Sequence, residues 1–155
     1  KSAVVDSLDV VILGATEIDT DFNVNVHTDS NGYIMGGSGG HSDTAAGAKL
    51  AMIIAPLFRA RLPIVTDRVS CISTPGRDID VLVTQRGVAV NPKNQELLLR
   101  LKDAGLPVME IGQLKDIAEN ITGKPQKVVR EGRTVANVIY RDGTHIDTIY
   151  NVPQR

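Results

Sequence analysis

A glycine-rich segment, residues 36–43 (GGSGGHSD), contains the residues best suited to chemistry. Four glycines within five residues let a backbone approach a ligand closely, with its N–H groups directed at it. Such a loop can hold phosphate groups or stabilise the oxyanion of an acyl-transfer intermediate. A flexible turn is the alternative interpretation. The segment lacks the third glycine of a dinucleotide-binding fingerprint and the G-K-[ST] ending of a P-loop, so neither of those sites is expected.

Three side chains in or near such a loop could contact a substrate. Glu17 follows the first predicted strand, where a carboxylate can point into a cleft at the strand's carboxyl end; an exposed loop position is the alternative. His41 lies inside the glycine segment, where a ring N–H could reach a ligand, although loop histidines are as often surface residues. Arg86 lies at a strand end beside Gly87 and could bind a carboxylate through two hydrogen bonds.

Metal and thiol chemistry are not indicated. The three histidines (His27, His41 and His145) are widely spread, with no spacing typical of zinc ligands. Residues 19–25 imitate the start of a calcium loop but lack its glycine and its final glutamate. Cys71 is the single cysteine and is expected to be a small apolar residue in a strand, in a protein of a reducing compartment such as the cytosol. We therefore expect no metal and no internal disulfide.

The charge balance and hydropathy exclude two further classes of protein. Seventeen Lys and Arg side chains against eighteen Asp and Glu side chains leave a formal net charge of -1. Nucleic-acid-binding proteins normally carry a basic excess, because phosphate contacts supply much of their affinity. The longest apolar run, residues 50–58, is nine residues long, whereas a spanning helix needs roughly 20. Neither a nucleic-acid partner nor a membrane span is expected.

The length of 155 residues corresponds to about one globular domain. The sequence begins at Lys1 rather than at a methionine, and its first residues lack the apolar core of a signal peptide. We interpret Lys1 as a position inside a longer polypeptide.

Short apolar runs rich in β-branched residues predict strands. Residues 8–14 (LDVVILG) predict a buried parallel strand closed by a glycine. Residues 22–26 alternate between apolar and polar side chains, which predicts a half-exposed strand. Further strands are predicted over 50–55, 63–66 and 80–84.

Capping residues and apolar spacing predict three helices. Asp43 is expected to cap a short helix over 44–48. Asn91-Pro92 is expected to begin a second helix that ends at Gly105. The third is expected from about Gly112 to Gly123. The predicted buried face of the second helix comprises Leu97, Leu98, Leu101 and Ala104.

The last thirty residues have a different character. Segments 128–130, 134–141 and 144–152 predict an antiparallel ribbon, the last two joined by the hairpin dipeptide Asp142-Gly143. The predicted fold class is therefore an open, mostly parallel α/β domain over residues 1–125, followed by an antiparallel β appendage over 126–155.

The order and spacing of several motifs resemble the CoA-transferase family. Residues 7–15 (SLDVVILGA) are similar to a strand in the second half of those proteins, and residues 37–43 (GSGGHSD) to their GMGGAMD loop. Residues 46–49 (AGAK) and 80–90 (DVLVTQRGVAV) match two later segments. The stretch 36–69 resembles in particular the citrate lyase α-chain branch of the family.

The resemblance implies the open α/β fold shared by CoA-transferases and ribose-5-phosphate isomerases. It also implies a transferase of citrate fermentation that exchanges acetyl for citrate on a thioester, giving citryl thioester and acetate. The thioester is expected on the CoA-derived prosthetic group of an acyl-carrier γ chain, or on CoA itself, with no cofactor covalently bound to this chain. A separate β chain would cleave the citryl thioester, and the three chains would form a hetero-oligomer in the cytoplasm.

Within the resemblance, the backbone from Gly37 through Ser38 and Gly39 to Gly40 would face the thioester and stabilise charge on its carbonyl oxygen. His41 and Arg86 would contact substrate, and Glu17 would act from behind it. The chain would be the C-terminal part of such a protein. The S-E-N-G segment that supplies a glutamate nucleophile in many members would precede it, so the fragment alone is expected to be inactive.

Two alternatives remain. Another short-acid CoA-transferase or acyl-CoA hydrolase would share the loop, and a small apolar pocket rather than arginine-rich recognition would favour it. A sugar-phosphate-binding sensor module of the same fold belongs to a different class, but such sensors normally carry an upstream helix-turn-helix, which this chain lacks.

Overall fold

The computed structural model describes residues 3–126 and 129–152. Two short 3-10 turns, at Val4–Ser7 and Gly76–Asp78, accompany the regular elements. The strands, in chain order, are β1 (Val10–Leu13), β2 (Glu17–Asp19), β3 (Val24–Asn25), β4 (Leu50–Ile54), β5 (Phe58–Arg59), β6 (Leu62–Pro63), β7 (Val65–Thr66), β8 (Val81–Thr84), β9 (Gly87–Val90), β10 (Thr134–Ile139) and β11 (His145–Tyr150). The helices are α1 (His41–Gly47), α2 (Gln95–Asp103) and α3 (Ile111–Thr122).

The largest sheet has four strands in the order β1-β4-β8-β9. Strands β1, β4 and β8 run parallel, and β9 returns antiparallel to β8. Ile53 of β4 and Leu82 of β8 are buried in one apolar cluster with Ala45 of α1 and with Leu114 and Ala118 of α3. This packing confirms a mixed α/β domain with a mainly parallel sheet, as the alternation of strand and helix signals predicted.

On the other face of this sheet, several apolar side chains are exposed to solvent in the part of the chain that the structure describes. Ile12 lies beside Met52, and Ile54 beside Val83, so the strand alternation places these side chains on one face. Val10 is 50% exposed, Ile12 61% and Ile54 47%. The first strand was predicted to be buried, and that prediction is wrong: β1 is an edge strand with one face covered.

A smaller sheet, in the order β3-β2-β7, lies after β1 in the chain and carries the polar residues of interest. The half-exposed strand predicted over 22–26 is shortened to β3, whose two residues are both buried. Phe22 has a left-handed φ of 64°, which ends the extended conformation before Val24. Residues 63–66 divide between β6 and β7, and Arg59-Ala60-Arg61 form part of the β5–β6 hairpin, as an exposed connection.

The helices lie where predicted, but their first residues differ. α1 begins at His41 with Gly40 as N-cap, so Asp43 lies in its first turn rather than capping it. α2 begins at Gln95, because the side chain of Asn94 accepts a hydrogen bond from the N–H of Leu97. α3 carries the reciprocal capping box of Glu110 and Gln113. The apolar face of α2 is only half-buried at Leu97, Leu98 and Leu101, and Ala104 is exposed, contrary to the prediction of a buried face.

The antiparallel ribbon is confirmed for β10 and β11, which pair across a turn containing Asp142-Gly143. Asp147 of β11 accepts a hydrogen bond from the N–H of Ile72 at 2.7 Å and pairs with Arg130. Val138 and Ile149 pack with Cys71. The ribbon is therefore docked on the segment that precedes β8. Of the strand predicted over 128–130, residue 128 lies outside the described residues, and Val129 and Arg130 are not in a strand. The division at residue 125 stays a prediction.

Candidate functional site

The glycine segment forms an exposed loop that ends at the N-terminus of α1. The N–H of Met35, just before it, donates to the carbonyl of His27 at 2.8 Å, and the N–H of His41, just after it, donates to the carbonyl of Ser38 at 3.1 Å. Between these two bonds, the backbone N–H groups of residues 36–40 have no acceptor among the described residues. The loop thus holds a run of unpaired amide donors between two fixed ends.

The packing around the loop does not account for most of its glycines. A Cβ atom built on Gly36 or Gly37 would meet nothing within 4 Å, and one on Gly40 would meet only a methyl group of Thr44 at 3.8 Å. Gly39 alone adopts a left-handed φ, of 56°, which favours glycine. The packing of the described residues therefore does not require glycine at positions 36 and 37. Glycine there would instead allow a ligand to come close to the backbone.

The ring of His41 is used entirely inside the protein. It is 8% exposed, with Nε2 at 2.9 Å from the carbonyl oxygen of Gly14 and Nδ1 at 2.7 Å from Oγ1 of Thr74. The carbonyl can only accept, so Nε2 carries the proton and Nδ1 accepts from the Thr74 hydroxyl. Burial lowers the pKa of His41, and nearby His27 lowers it further, against the opposing effect of the Gly14 carbonyl. The ring joins the end of β1 to α1, and in this arrangement it has no N–H free for a substrate.

His27 was not considered as a site residue at the level of sequence, and the structure places it beside this region. Its Nδ1 lies 2.5 Å from Oγ of Ser73, a residue 46 positions later in the chain. It is half-buried, and burial lowers the pKa of its ring. An isolated histidine in a polar stretch carries no periodic signal, so only the long-range contact identifies it.

Glu17 is a buried strand residue, so the alternative of an exposed loop position is wrong. The carboxylate is 3% exposed and accepts hydrogen bonds from the amide of Asn25 (2.9 Å), the N–H of Ser70 (2.7 Å) and the hydroxyl of Ser70 (3.1 Å). It lines a cavity of about 470 Å³ together with Arg68, Lys124 and Arg130. These three hydrogen bonds hold the carboxylate between Asn25 and Ser70.

Arg86 lies in the exposed turn between β8 and β9. Its backbone N–H donates to Oγ1 of Thr84 at 3.1 Å, which fixes the turn and leaves the guanidinium in solvent. Because β1 and β8 are both parallel to β4, Arg86 and Gly14 lie at the same edge of the sheet, on strands that have β4 between them. No contact joins Arg86, Glu17 and the glycine loop to one another within the described residues.

The remaining candidates are structural. Cys71 is 1% exposed and packs with Val138 and Ile149, and burial raises the pKa of its thiol to about 12, which excludes a reactive thiolate near neutral pH. Asp19, in the calcium-like segment, accepts from the backbone N–H groups of Asp21 and Asn23 within a turn. Among residues 3–126 and 129–152, no cluster of three or more potential metal ligands is present.

One further property concerns membranes. In the same described ranges, no helix combines the length and apolar character required to cross a bilayer.

Comparison with known proteins decides the family. The family described as "Citrate lyase, alpha subunit" matches residues 1–152. The chain belongs to this family. It is 55% identical over 152 residues to the citrate lyase alpha chain of Klebsiella pneumoniae and 53% identical over 152 residues to that of Haemophilus influenzae. Each match covers 98% of this chain and 30% of the relative.

The architecture agrees with that of a solved relative. A crystal structure of a citrate lyase α subunit from Streptococcus mutans, in complex with citrate, superposes with a TM-score of 0.96 at 45% identity. It covers 99% of this chain, which spans 30% of that longer protein. The mainly parallel α/β domain and its docked ribbon therefore correspond to about 30% of the length of that relative.

Proposed function

We propose that this chain is part of an acyl-transfer subunit that exchanges acetyl for citrate on a thioester. The observation that carries the proposal is the run of unpaired amide N–H groups in the loop of Gly37, Ser38, Gly39 and Gly40, in a member of the citrate lyase α-subunit family. Amide donors held in place before the reaction stabilise an oxyanion without having to reorganise. An open loop with no side chains at Gly36 and Gly37 gives a thioester the space to reach them.

The proposed transfer has two steps in which such amide donors would stabilise negative charge. A carboxylate oxygen of citrate attacks the acetyl carbonyl carbon, the C–S bond breaks, and the thiol leaves as thiolate, giving a mixed anhydride. The thiolate then attacks the citryl carbonyl carbon of that anhydride, and acetate leaves. Negative charge develops on a carbonyl oxygen in both steps, and no proton needs to be transferred overall. The same amide donors serve both transition states.

The thioester would be carried by the CoA-derived prosthetic group of an acyl-carrier γ chain, with CoA as a substitute, and a β chain would cleave the citryl product. Arg86 is proposed as a citrate contact, because it is an exposed guanidinium at the sheet edge where β1 ends. Glu17 is proposed to support the site without touching the substrate, because its buried carboxylate accepts hydrogen bonds from Asn25 and Ser70 and does not face solvent.

We further propose that the 155 residues supply the glycine loop but not the whole site. The chain spans about 30% of the length of its curated relatives. Its largest sheet also leaves Val10, Ile12 and Ile54 exposed on one face, whereas mainly parallel sheets are normally covered on both faces. The rest of a longer α subunit is the proposed cover of that face, and the isolated piece is expected to have no transferase activity.

The test is citrate-dependent release of acetate from acetyl-CoA. A full-length α subunit containing this stretch is expected to release acetate and form citryl-CoA in equal amounts, and the 155-residue piece is expected to release none. Malate in place of citrate serves as the control substrate. Acetate release that proceeds without any added acid would indicate a hydrolase and would contradict the proposed transfer.

A further inference from the structure

Two consecutive hydroxyl residues, Ser73 and Thr74, each hold one histidine ring. Thr74 bonds to Nδ1 of His41 at 2.7 Å, and Ser73 bonds to Nδ1 of His27 at 2.5 Å. The two rings differ at the other nitrogen. Nε2 of His41 donates to the carbonyl of Gly14, whereas Nε2 of His27 has no partner among the described residues. One histidine is closed within the fold, and the other presents a free ring nitrogen.

The hydrogen bonds around Ser73 determine which nitrogen of His27 carries the proton. Oγ of Ser73 accepts from the backbone N–H of Val26 at 2.9 Å and from the N–H of His27 itself at 3.2 Å. These two donors occupy the lone pairs of the hydroxyl, so its own hydrogen must go to Nδ1 of His27. Nδ1 is then an acceptor, and the neutral ring carries its proton on Nε2. The free nitrogen of His27 is therefore an N–H donor.

The position of His27 connects this donor with the glycine loop. Its carbonyl accepts the N–H of Met35, the residue immediately before the loop, so the backbone of His27 fixes where the loop starts. Its ring is bonded to Ser73, and the adjacent Thr74 is bonded to the ring of His41, the first residue after the loop. His27 thus fixes the start of the loop through its backbone, and Ser73-Thr74 connects its ring with the residue at the end of the loop. Its ring is half-buried, where a hydrogen bond to a developing charge is stronger than in water.

We propose that His27 is a further catalytic residue, whose Nε2–H donates to the thioester carbonyl oxygen as charge develops on it beside the loop amides. Ser73 is the positioning residue, because its hydroxyl holds the ring in the tautomer that places the proton on Nε2. This assignment rests on the proposed acyl transfer. It adds a side-chain donor to a site that otherwise relies on backbone amides. It also gives the two adjacent hydroxyls distinct roles: Thr74 helps to hold His41 within the fold, and Ser73 orients His27 toward the substrate.

A pair of substitutions in the full-length α subunit separates this role from a structural one. His27→Gln keeps an amide donor near the position of Nε2 but loses the acceptor for Ser73. His27→Asn keeps that acceptor but loses the donor. We expect H27N to lower kcat about 100-fold, the effect of removing one oxyanion donor, with an unchanged KM for citrate. H27Q is expected to retain more activity than H27N. Ser73→Ala should lower kcat less than H27N, because the correct tautomer stays partly populated.

The matched controls are H145N and H145Q, which make the same changes at an exposed histidine on the ribbon and should leave kcat unchanged. Activity in H27N equal to or above that of H27Q would show that His27 only receives the Ser73 hydroxyl, and would overturn the assignment. If the wild-type subunit releases no acetate, that result contradicts the proposed function itself, and the assignment of His27 falls with it because it depends on that function.

Should H27N fail to fold, the wild-type protein still decides the question. Diethyl pyrocarbonate modifies accessible imidazole nitrogens, and mass spectrometry locates the adducts. Acetyl-CoA is expected to slow modification of His27 and leave that of His145 unchanged. Equal modification of His27 with and without acetyl-CoA would overturn the assignment.

Discussion

Replacing His41 with leucine tests the conclusion that this ring is structural rather than a substrate contact. The change removes both ring hydrogen bonds and leaves the Gly14 carbonyl and the Thr74 hydroxyl without partners in a site where the ring is 8% exposed. Thr74 is fully buried, and a buried group left unsatisfied costs about 1–3 kcal/mol, whereas Gly14 is exposed and its carbonyl can bond to water. Leucine is easier to bury than imidazole, which offsets part of the cost. We therefore expect His41→Leu to reduce the stability of the domain by about 1–2 kcal/mol.

The assay combines stability with kinetics on the full-length α subunit. Hydrogen exchange followed by mass spectrometry should show faster exchange in α1 and in residues 10–14, with distant peptides unchanged. Folded H41L should retain the wild-type KM for citrate. The control is His145→Leu at the exposed histidine, for which neither measurement should change. A protein with wild-type exchange rates and a KM for citrate raised tenfold or more would refute the reasoning and identify His41 as a substrate contact.

Three further predictions follow from burial. First, burial lowers the pKa of His27 and His41 below 6.5, so the unfolded state binds more protons than the folded state below that pH. Stability should therefore fall as the pH drops through 6.5, by up to about 1.4 kcal/mol per pH unit for each ring. Urea midpoints at pH 7.5 and 5.5 measure this effect, and a midpoint that rises on acidification would contradict it. Second, Gly76→Ala should destabilise the domain by about 3 kcal/mol or more, because the added Cβ would lie 1.9 Å from the carbonyl oxygen of Asp21. The control is Gly112→Ala, whose Cβ would meet no atom within 4 Å. A thermal melt should show a lower midpoint for G76A and an unchanged midpoint for G112A. Third, with a thiol pKa of about 12, Cys71 should resist iodoacetamide at pH 8, and stoichiometric labelling of the native protein with loss of activity would show that the thiol is accessible and reactive.

The sequence predicted those elements that local signals specify. The runs at β4 and β8 are apolar and β-branched, and the dipeptide Asp142-Gly143 marks the turn between β10 and β11. α3 has an apolar face and a terminal glycine with a left-handed φ of 79°. The edge position of β1 could not be predicted, because an apolar run does not show whether one or both faces of its strand are covered. Asn94 rather than Asn91 is the N-cap of α2, and the side-chain nitrogen of Asn91 donates to the carbonyls of Gly76 and Ile79.

The site was predictable only where its residues are contiguous. The glycine loop is a single segment and was identified from composition alone. The partners of its flanking histidines, Ser73 and Thr74, come 46 and 33 positions later, and no periodic pattern connects them. Glu17 was identified from its place after the first strand, but its burial depends on Asn25 and Ser70, which the fold brings together across the small sheet. Long-range hydrogen bonds therefore account for what sequence patterns missed.

The most direct test of the central claim places a methyl group in the glycine loop. Gly37→Ala adds a Cβ that meets no atom within 4 Å, as does the matched control Gly112→Ala in α3, so both variants should be as stable as the wild-type full-length subunit. If a thioester approaches the loop backbone, G37A should lower kcat/KM for citrate-dependent acetate release by at least about tenfold, the rate effect of 1.4 kcal/mol in the transition state. G112A should retain wild-type activity. Wild-type kcat/KM in a folded G37A subunit would contradict the claim that the glycine loop faces the thioester.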